Sequence, residues 1–98
     1  MMPVTAILIR LQDHVATLTA PVAAGEKVLV TGQGEPREVV ALADMPAGHK
    51  LAIRPIKEYE QILKYGEVIG EATEAVPEGG HVHVHNCWGL KARRHAQD

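Results

Sequence analysis

One pattern of nine residues recurs along the chain and restricts its fold more than any other feature. Val22-Ala23-Ala24-Gly25-Glu26-Lys27-Val28-Leu29-Val30 aligns with Met45-Pro46-Ala47-Gly48-His49-Lys50-Leu51-Ala52-Ile53, and both align with Val76-Pro77-Glu78-Gly79-Gly80-His81-Val82-His83-Val84. The shared order is apolar, Pro or Ala, any residue, Gly, any residue, a basic residue, then apolar residues at alternate positions. Pro restricts φ and Gly accepts φ > 0, so the first half is a β-turn; the alternation that follows is a half-buried strand. The glycines are 23 and 31 residues apart, too uneven for a solenoid. Units of this kind fold back into a compact, irregular barrel of short strands.

The remaining runs agree with a mainly β fold. Strands are expected at 6–11, 14–20, 27–31, 38–42, 50–54, 68–72 and 81–85, each rich in Val, Ile, Leu or Thr and bounded by turn residues. The segment 57–64 admits two readings. Ile56, Tyr59 and Ile62-Leu63 are spaced like one face of a short helix. Alternatively, 56–64 is a degenerate fourth copy of the repeat, with Tyr59 where Gly would sit. Gly32–Arg37 reads as a polar hairpin excursion. The domain is expected over residues 1–90, with a basic tail over 91–98.

Composition removes several function classes. Ninety-eight residues make one domain, with little room for a deep cleft of its own. Aromatic residues are 3% and the net charge is −2, which leaves neither stacking platforms nor a basic footprint for nucleic acid. No apolar run is long enough to span a membrane. A single cysteine, Cys87, rules out an internal disulfide and suits the cytoplasm. Gly32-Gln33-Gly34 lacks the Lys-Ser/Thr of a phosphate loop. Cys87 has no triad around it, and Trp88 reads as a packing or interface anchor.

Histidine is the unusual residue. There are six, and protonating all of them would move the formal charge from −2 to +4. On a strand, His81, His83 and His85 share one face and Val82 and Val84 the other. Three imidazoles at alternate positions either gather a transition metal or form a polar, solvated face. His49-Lys50 lies at a turn exit, where it either grips a carboxylate or is simply exposed. In Lys64-Tyr65-Gly66, Tyr can donate to a substrate oxygen and Lys can pair with an anion; the other reading is ring packing beside a solvated amine.

Three stretches resemble the altronate dehydratase family, in its N-terminal or small-subunit SAF domain. They are Gly48-His49-Lys50-Leu51-Ala52-Ile53, Ile62-Leu63-Lys64-Tyr65-Gly66-Glu67-Val68-Ile69-Gly70-Glu71-Ala72, and His81-Val82-His83-Val84-His85-Asn86. The likeness covers about residues 3–90. Tyr59-Glu60-Gln61 replaces the Gly-Glu turn common before the second motif. The resemblance implies a β-clip fold and a hydro-lyase acting on a sugar acid such as altronate or galactarate. It also implies a large dehydratase subunit as partner, because short SAF subunits occur paired with larger ones. A related branch eliminates sulfite from sulfolactate. The implied roles are catalytic for His49, Lys64 and Tyr65, substrate-binding for Lys50, His83 and Asn86, and metal-binding for His83 and His85. A divalent metal, Fe2+ or Mn2+, is implied as cofactor, held mainly by the partner. A non-enzymatic sugar- or peptide-binding module and a small metal-binding protein are the competing readings. Self-association is left open.

Overall fold

Four turns, not three, organise the chain. The computed structural model describes residues 3–83 and 85–89, and the four turns share one construction. Glu26, His49, Glu60 and Gly80 each donate a backbone N–H to the carbonyl three residues earlier (Ala23, Pro46, Lys57 and Pro77). The residue just before each donor has positive φ: Gly25 at 90°, Gly48 at 83°, Tyr59 at 69° and Gly79 at 88°. That left-handed third residue fits a type II turn. Each turn then clamps one residue, in a strand or just past its end, from both sides. Gly25 and Glu26 bracket Ala41, Gly48 and His49 bracket Leu18, Tyr59 and Glu60 bracket Ala72, and Gly79 and Gly80 bracket Ala52, each by a reciprocal pair of backbone hydrogen bonds.

The segment 57–64 is therefore the fourth copy and not a helix. Tyr59 adopts the left-handed conformation that the other copies give to glycine, at a cost of about 1–2 kcal/mol for an L-residue. The clamp on Ala72 holds it there, with Tyr59 N–H to Ala72 O at 2.8 Å and Ala72 N–H to Glu60 O at 2.9 Å. Apolar spacing suggested a helix here, but these long-range backbone bonds decide the conformation.

Nine strands lie among the described residues, and no helix: β1 (Val4–Ile7), β2 (Val15–Leu18), β3 (Lys27–Thr31), β4 (Arg37–Val40), β5 (Lys50–Ala52), β6 (Gln61–Lys64), β7 (Glu67–Ala72), β8 (His81–Val82) and β9 (Cys87–Gly89). They form a six-stranded sheet in the order β4-β3-β1-β2-β5-β8 and a three-stranded sheet in the order β6-β7-β9. β1 and β3 run parallel and the other pairs antiparallel. The mainly β expectation is met.

Two apolar cores fill the structure. One gathers Leu8, Leu18, Val28, Met45, Leu51 and Ile53, with smaller neighbours, around the first two turns. The other gathers Val15, Ile56, Ile62, Ala72, Val76 and Val82 around the last two. Alternation along β2 and β5 feeds both: Val15 and Ala52 face one core, Ala16 and Leu51 the other. The turns themselves pair across the molecule through two-way bridges, Val22 with Met45 and Ile56 with Val76.

Two strand expectations change. β1 ends at Ile7 because Asp13 accepts the Arg10 N–H at 3.1 Å while donating its own N–H to the Arg10 carbonyl, closing a turn there. The histidine strand ends at Val82. Asn86 captures the His83 N–H with its side-chain oxygen at 2.9 Å and turns the chain away from the ladder. The chain then makes β9, which antiparallel pairing with β7 creates and which local alternation did not announce. Val84 and the tail at 91–98 lie outside the described residues.

Candidate functional site

The second and fourth turns deliver the histidines. His49 leaves the turn that begins at Pro46, and His81 opens β8 directly after the turn that begins at Pro77. β5 and β8 are hydrogen-bonded neighbours, with Leu51 opposite His81. His49 Nδ1 and His81 Nε2 are 2.8 Å apart in a hydrogen bond. The ring of His83 stacks on His49 with centroids 4.0 Å apart. One nitrogen from each of His49, His81 and His83 lies within 4.8 Å of the others, and all three side chains are half-buried.

This cluster differs in membership from the one expected on the strand. His85 is outside the cluster: its ring lies 5.2 Å from His81 and tilted, and the two line a small hollow with Glu74 and Asn86. His49 enters instead, from a turn 32 residues away. The donor set fits a divalent transition metal: three imidazoles are the ligands such ions prefer, whereas Mg2+ and Ca2+ prefer oxygen. Two imidazoles on one tetrahedral ion hold their nitrogens about 3.3 Å apart; in the cluster all three nitrogens lie within 4.8 Å of one another, so small side-chain shifts would bring them to that spacing. Packing also favours the neutral, ligating form. Lost hydration and then the neighbouring His49 push the His81 and His83 pKa values below the ordinary histidine value.

Beside the histidines runs a groove of about 290 Å³ lined by Lys50, Lys64, Ile69, His83, Cys87 and Gly89. His83 belongs to both features and joins them. Burial lowers the Lys50 pKa, and the Lys64 charge lowers it further. Two amines in one groove beside an imidazole form an anion site with proton-transfer capacity. Burial raises the Cys87 thiol pKa, which disfavours the reactive thiolate.

The remaining expected residues take different positions. Tyr65 lies outside the groove lining, half exposed at the tip of the β6–β7 hairpin, and meets the groove only through the Lys64 amine 4.8 Å from its ring centroid. Asn86 is 3% exposed, and its amide is already engaged. It accepts from His83 N–H at 2.9 Å and donates to the His81 carbonyl at 2.7 Å. It sets the course of the histidine segment.

Asp13 and His14 escaped sequence reasoning. Both are buried, and both act on the hairpin that carries Lys64. The only local signal was an ionisable pair between two apolar runs.

The description "Altronate/galactarate dehydratase SAF domain" matches residues 4–89. The chain belongs to this family. The all-β architecture described above is that of its SAF-type β-clip. Among curated relatives, the (2R)-sulfolactate sulfo-lyase subunit alpha of Paracoccus pantotrophus is 41% identical over 59 residues, covering 60% of this chain and 88% of that subunit. The altronate dehydratase of Bacillus subtilis (strain 168) is 36% identical over 80 residues, 82% of this chain but 15% of that enzyme. The galactarate dehydratase (L-threo-forming) of Escherichia coli (strain K12) is 33% identical over 75 residues, 76% of this chain and 14% of that enzyme. This SAF chain thus spans most of a named subunit and about one seventh of the dehydratases. No helix among its described residues is long and apolar enough to cross a membrane.

Proposed function

We propose that the chain is the small subunit of a cytoplasmic lyase that removes water from a sugar acid of the altronate or galactarate type, and that it completes the active site of a larger subunit. The observation that carries this reading is that His83 joins the His49-His81-His83 cluster to the open groove holding Lys50 and Lys64. Elimination from a hydroxy acid needs three things: a grip on the carboxylate, a base for the proton beside it, and help for the leaving group. Lys50 and Lys64 supply the grip. A neutral imidazole of the cluster takes the proton. His49 and its partners would hold a divalent metal, Fe2+ or Mn2+, which when bound supplies Lewis acidity to the carboxylate or the departing oxygen. His85 and groups from the larger subunit would complete that coordination. Asn86 keeps His81 and His83 aimed, and Tyr65 stands at the outer edge, where it would meet substrate only with the partner in place.

A second substrate assignment has its own support. The chain covers 88% of a sulfolactate sulfo-lyase subunit, and the same cluster and groove would serve elimination of sulfite. The test is one set of assays: the chain alone, and the chain with a large dehydratase subunit, on altronate, galactarate and sulfolactate. Activity only from the pair, on one of the three acids, is the expected result. Full activity from the isolated chain overturns the subunit reading. Unchanged activity of the pair after His49→Ala and Lys50→Ala supports the non-enzymatic binding module instead.

A further inference from the structure

Asp13 is the single fully buried carboxylate among the described residues, and its three hydrogen bonds all go to backbone N–H groups. Oδ2 accepts from Arg10 at 3.1 Å and from Tyr65 at 2.8 Å; Oδ1 accepts from Gly66 at 2.8 Å. Tyr65 and Gly66 form the two-residue turn between β6 and β7, with φ of 58° and 74°. Both angles positive is the I′ geometry that favours Asn-Gly or Gly-Gly. A tyrosine at the first position is strained there, and the N–H groups of both turn residues point away from the hairpin's own ladder. The Asp13 carboxylate receives them. Gly66 also packs on the same loop, where a Cβ would touch Arg10 and Gln12 at 3.4–3.5 Å.

His14 repeats the grip one step back. Its N–H donates to the Leu63 carbonyl at 3.0 Å, and its Nδ1 accepts from the Leu63 N–H at 2.9 Å. A backbone N–H can only donate, so Nδ1 carries no proton. Nε2 is then the protonated nitrogen and donates to Glu60 at 3.1 Å. The residues on either side of Lys64 are therefore fastened to Asp13 and His14, which lie 50 residues or so away in sequence.

We infer that Asp13 is a positioning residue: its carboxylate holds the strained Tyr65-Gly66 turn and so fixes Lys64 in the anion groove beside Lys50 and His83. The inference rests on the groove being the substrate site. Loss of the carboxylate lets the turn relax, and Lys64 then leaves its place in the groove while its chemistry is untouched.

Three measurements on the full chain test this. In the wild-type chain, the Tyr65 and Gly66 amides should be protected from hydrogen exchange although they sit at a half-exposed hairpin tip. Solvent-rate exchange at both overturns the inference without any variant. Next, Asp13→Ala should lower the denaturation midpoint less in a Tyr65→Gly background, where the left-handed position no longer needs holding; equal losses in both backgrounds overturn it. Finally, Asp13→Asn in the assembled enzyme should raise KM on the order of 10-fold with a smaller change in kcat, the mark of a displaced substrate-binding group. A fall in kcat alone marks a loss of folded protein and overturns the positioning role. If the wild-type pair is inactive on every hydroxy acid, the functional reading fails, and the exchange and background measurements still decide whether Asp13 holds the turn.

Discussion

The four turns are alike in backbone and divide into two kinds by side chain. In the first and third, the second position keeps its N–H, and the glutamate at the fifth position accepts it: Glu26 from Ala23 at 2.6 Å, Glu60 from Lys57 at 2.8 Å. In the second and fourth, Pro46 and Pro77 have no N–H, and no carboxylate is needed. Their fifth positions are His49 and Gly80. Proline thus frees the position that a glutamate must otherwise occupy, and His49 uses that freedom to reach His81 and His83. Both proline turns lead into the histidine cluster, whereas the first glutamate turn leads into β3 and the second into β6, which carries Lys64.

That contrast has measurable consequences. The largest concerns the glycine position. A Cβ on Gly79 would stand 2.1 Å from the Val40 carbonyl oxygen, whereas Gly48 has open space around it. Gly79→Ala should cost about 4 kcal/mol or more, enough to unfold much of a small domain. Gly48→Ala should cost only the left-handed strain, about 1–2 kcal/mol. Chemical denaturation of both variants checks the difference; equal losses would mean that the close approach of Gly79 to the Val40 carbonyl relaxes without cost.

His49→Ala is the next largest. Activity of the assembled enzyme should fall on the order of 100-fold, as for loss of a proton-transfer group, with the denaturation midpoint nearly unchanged. The opposite split is expected at the glutamate turns. Glu26→Ala should cost about 1 kcal/mol of stability, the worth of one hydrogen bond, and leave kcat/KM as it was. Glu60→Ala should cost more than Glu26→Ala, since Glu60 also accepts from His14.

The smallest effect is a dependence on pH. His81 and His83 have lowered pKa values in the folded chain, so folding favours their neutral forms. The stability this gives is complete above the ordinary histidine pKa of about 6.5 and is lost as pH falls through the lower folded values. In metal-free protein the melting temperature should fall as the pH is lowered from about 7 to 5, and His81→Gln should flatten that slope. Glu60, whose pKa is lowered first by the Lys57 N–H and also by His14, acts in the same direction at more acid pH. A slope unchanged by His81→Gln would place the titration elsewhere.

Much of this was legible in the residues. The repeat, read from Gly, Pro and alternating apolar positions, located three turns and the strands after them, because turn chemistry and side-chain period are local properties. The fourth turn was legible only as one of two readings. Tyr59 carries no local preference for positive φ, and its conformation is imposed by Ala72, thirteen residues on. The site was half legible. Lys50, Lys64 and His83 were named, and they line one groove; His49 was named, and it lies in the cluster that His83 shares with that groove. The strand reading put His81, His83 and His85 on one face, and the resemblance implied His83 and His85 as metal ligands; β8 ends at Val82, and His81 and His83 gather with His49. A buried Asn86 amide cut the strand short.

What the sequence determined by itself is the type of structure: short strands, glycine turns, an aliphatic core and an excess of histidine. These follow from steric limits on φ, from side-chain alternation and from composition, none of which needs a distant partner. Tertiary structure alone decided which histidines meet, that Tyr65 stands outside the groove, and that Asp13 and His14 govern the Lys64 hairpin. Each of these depends on contacts between residues 30 to 50 positions apart. Such contacts form only when the sheets close, and no local pattern records them.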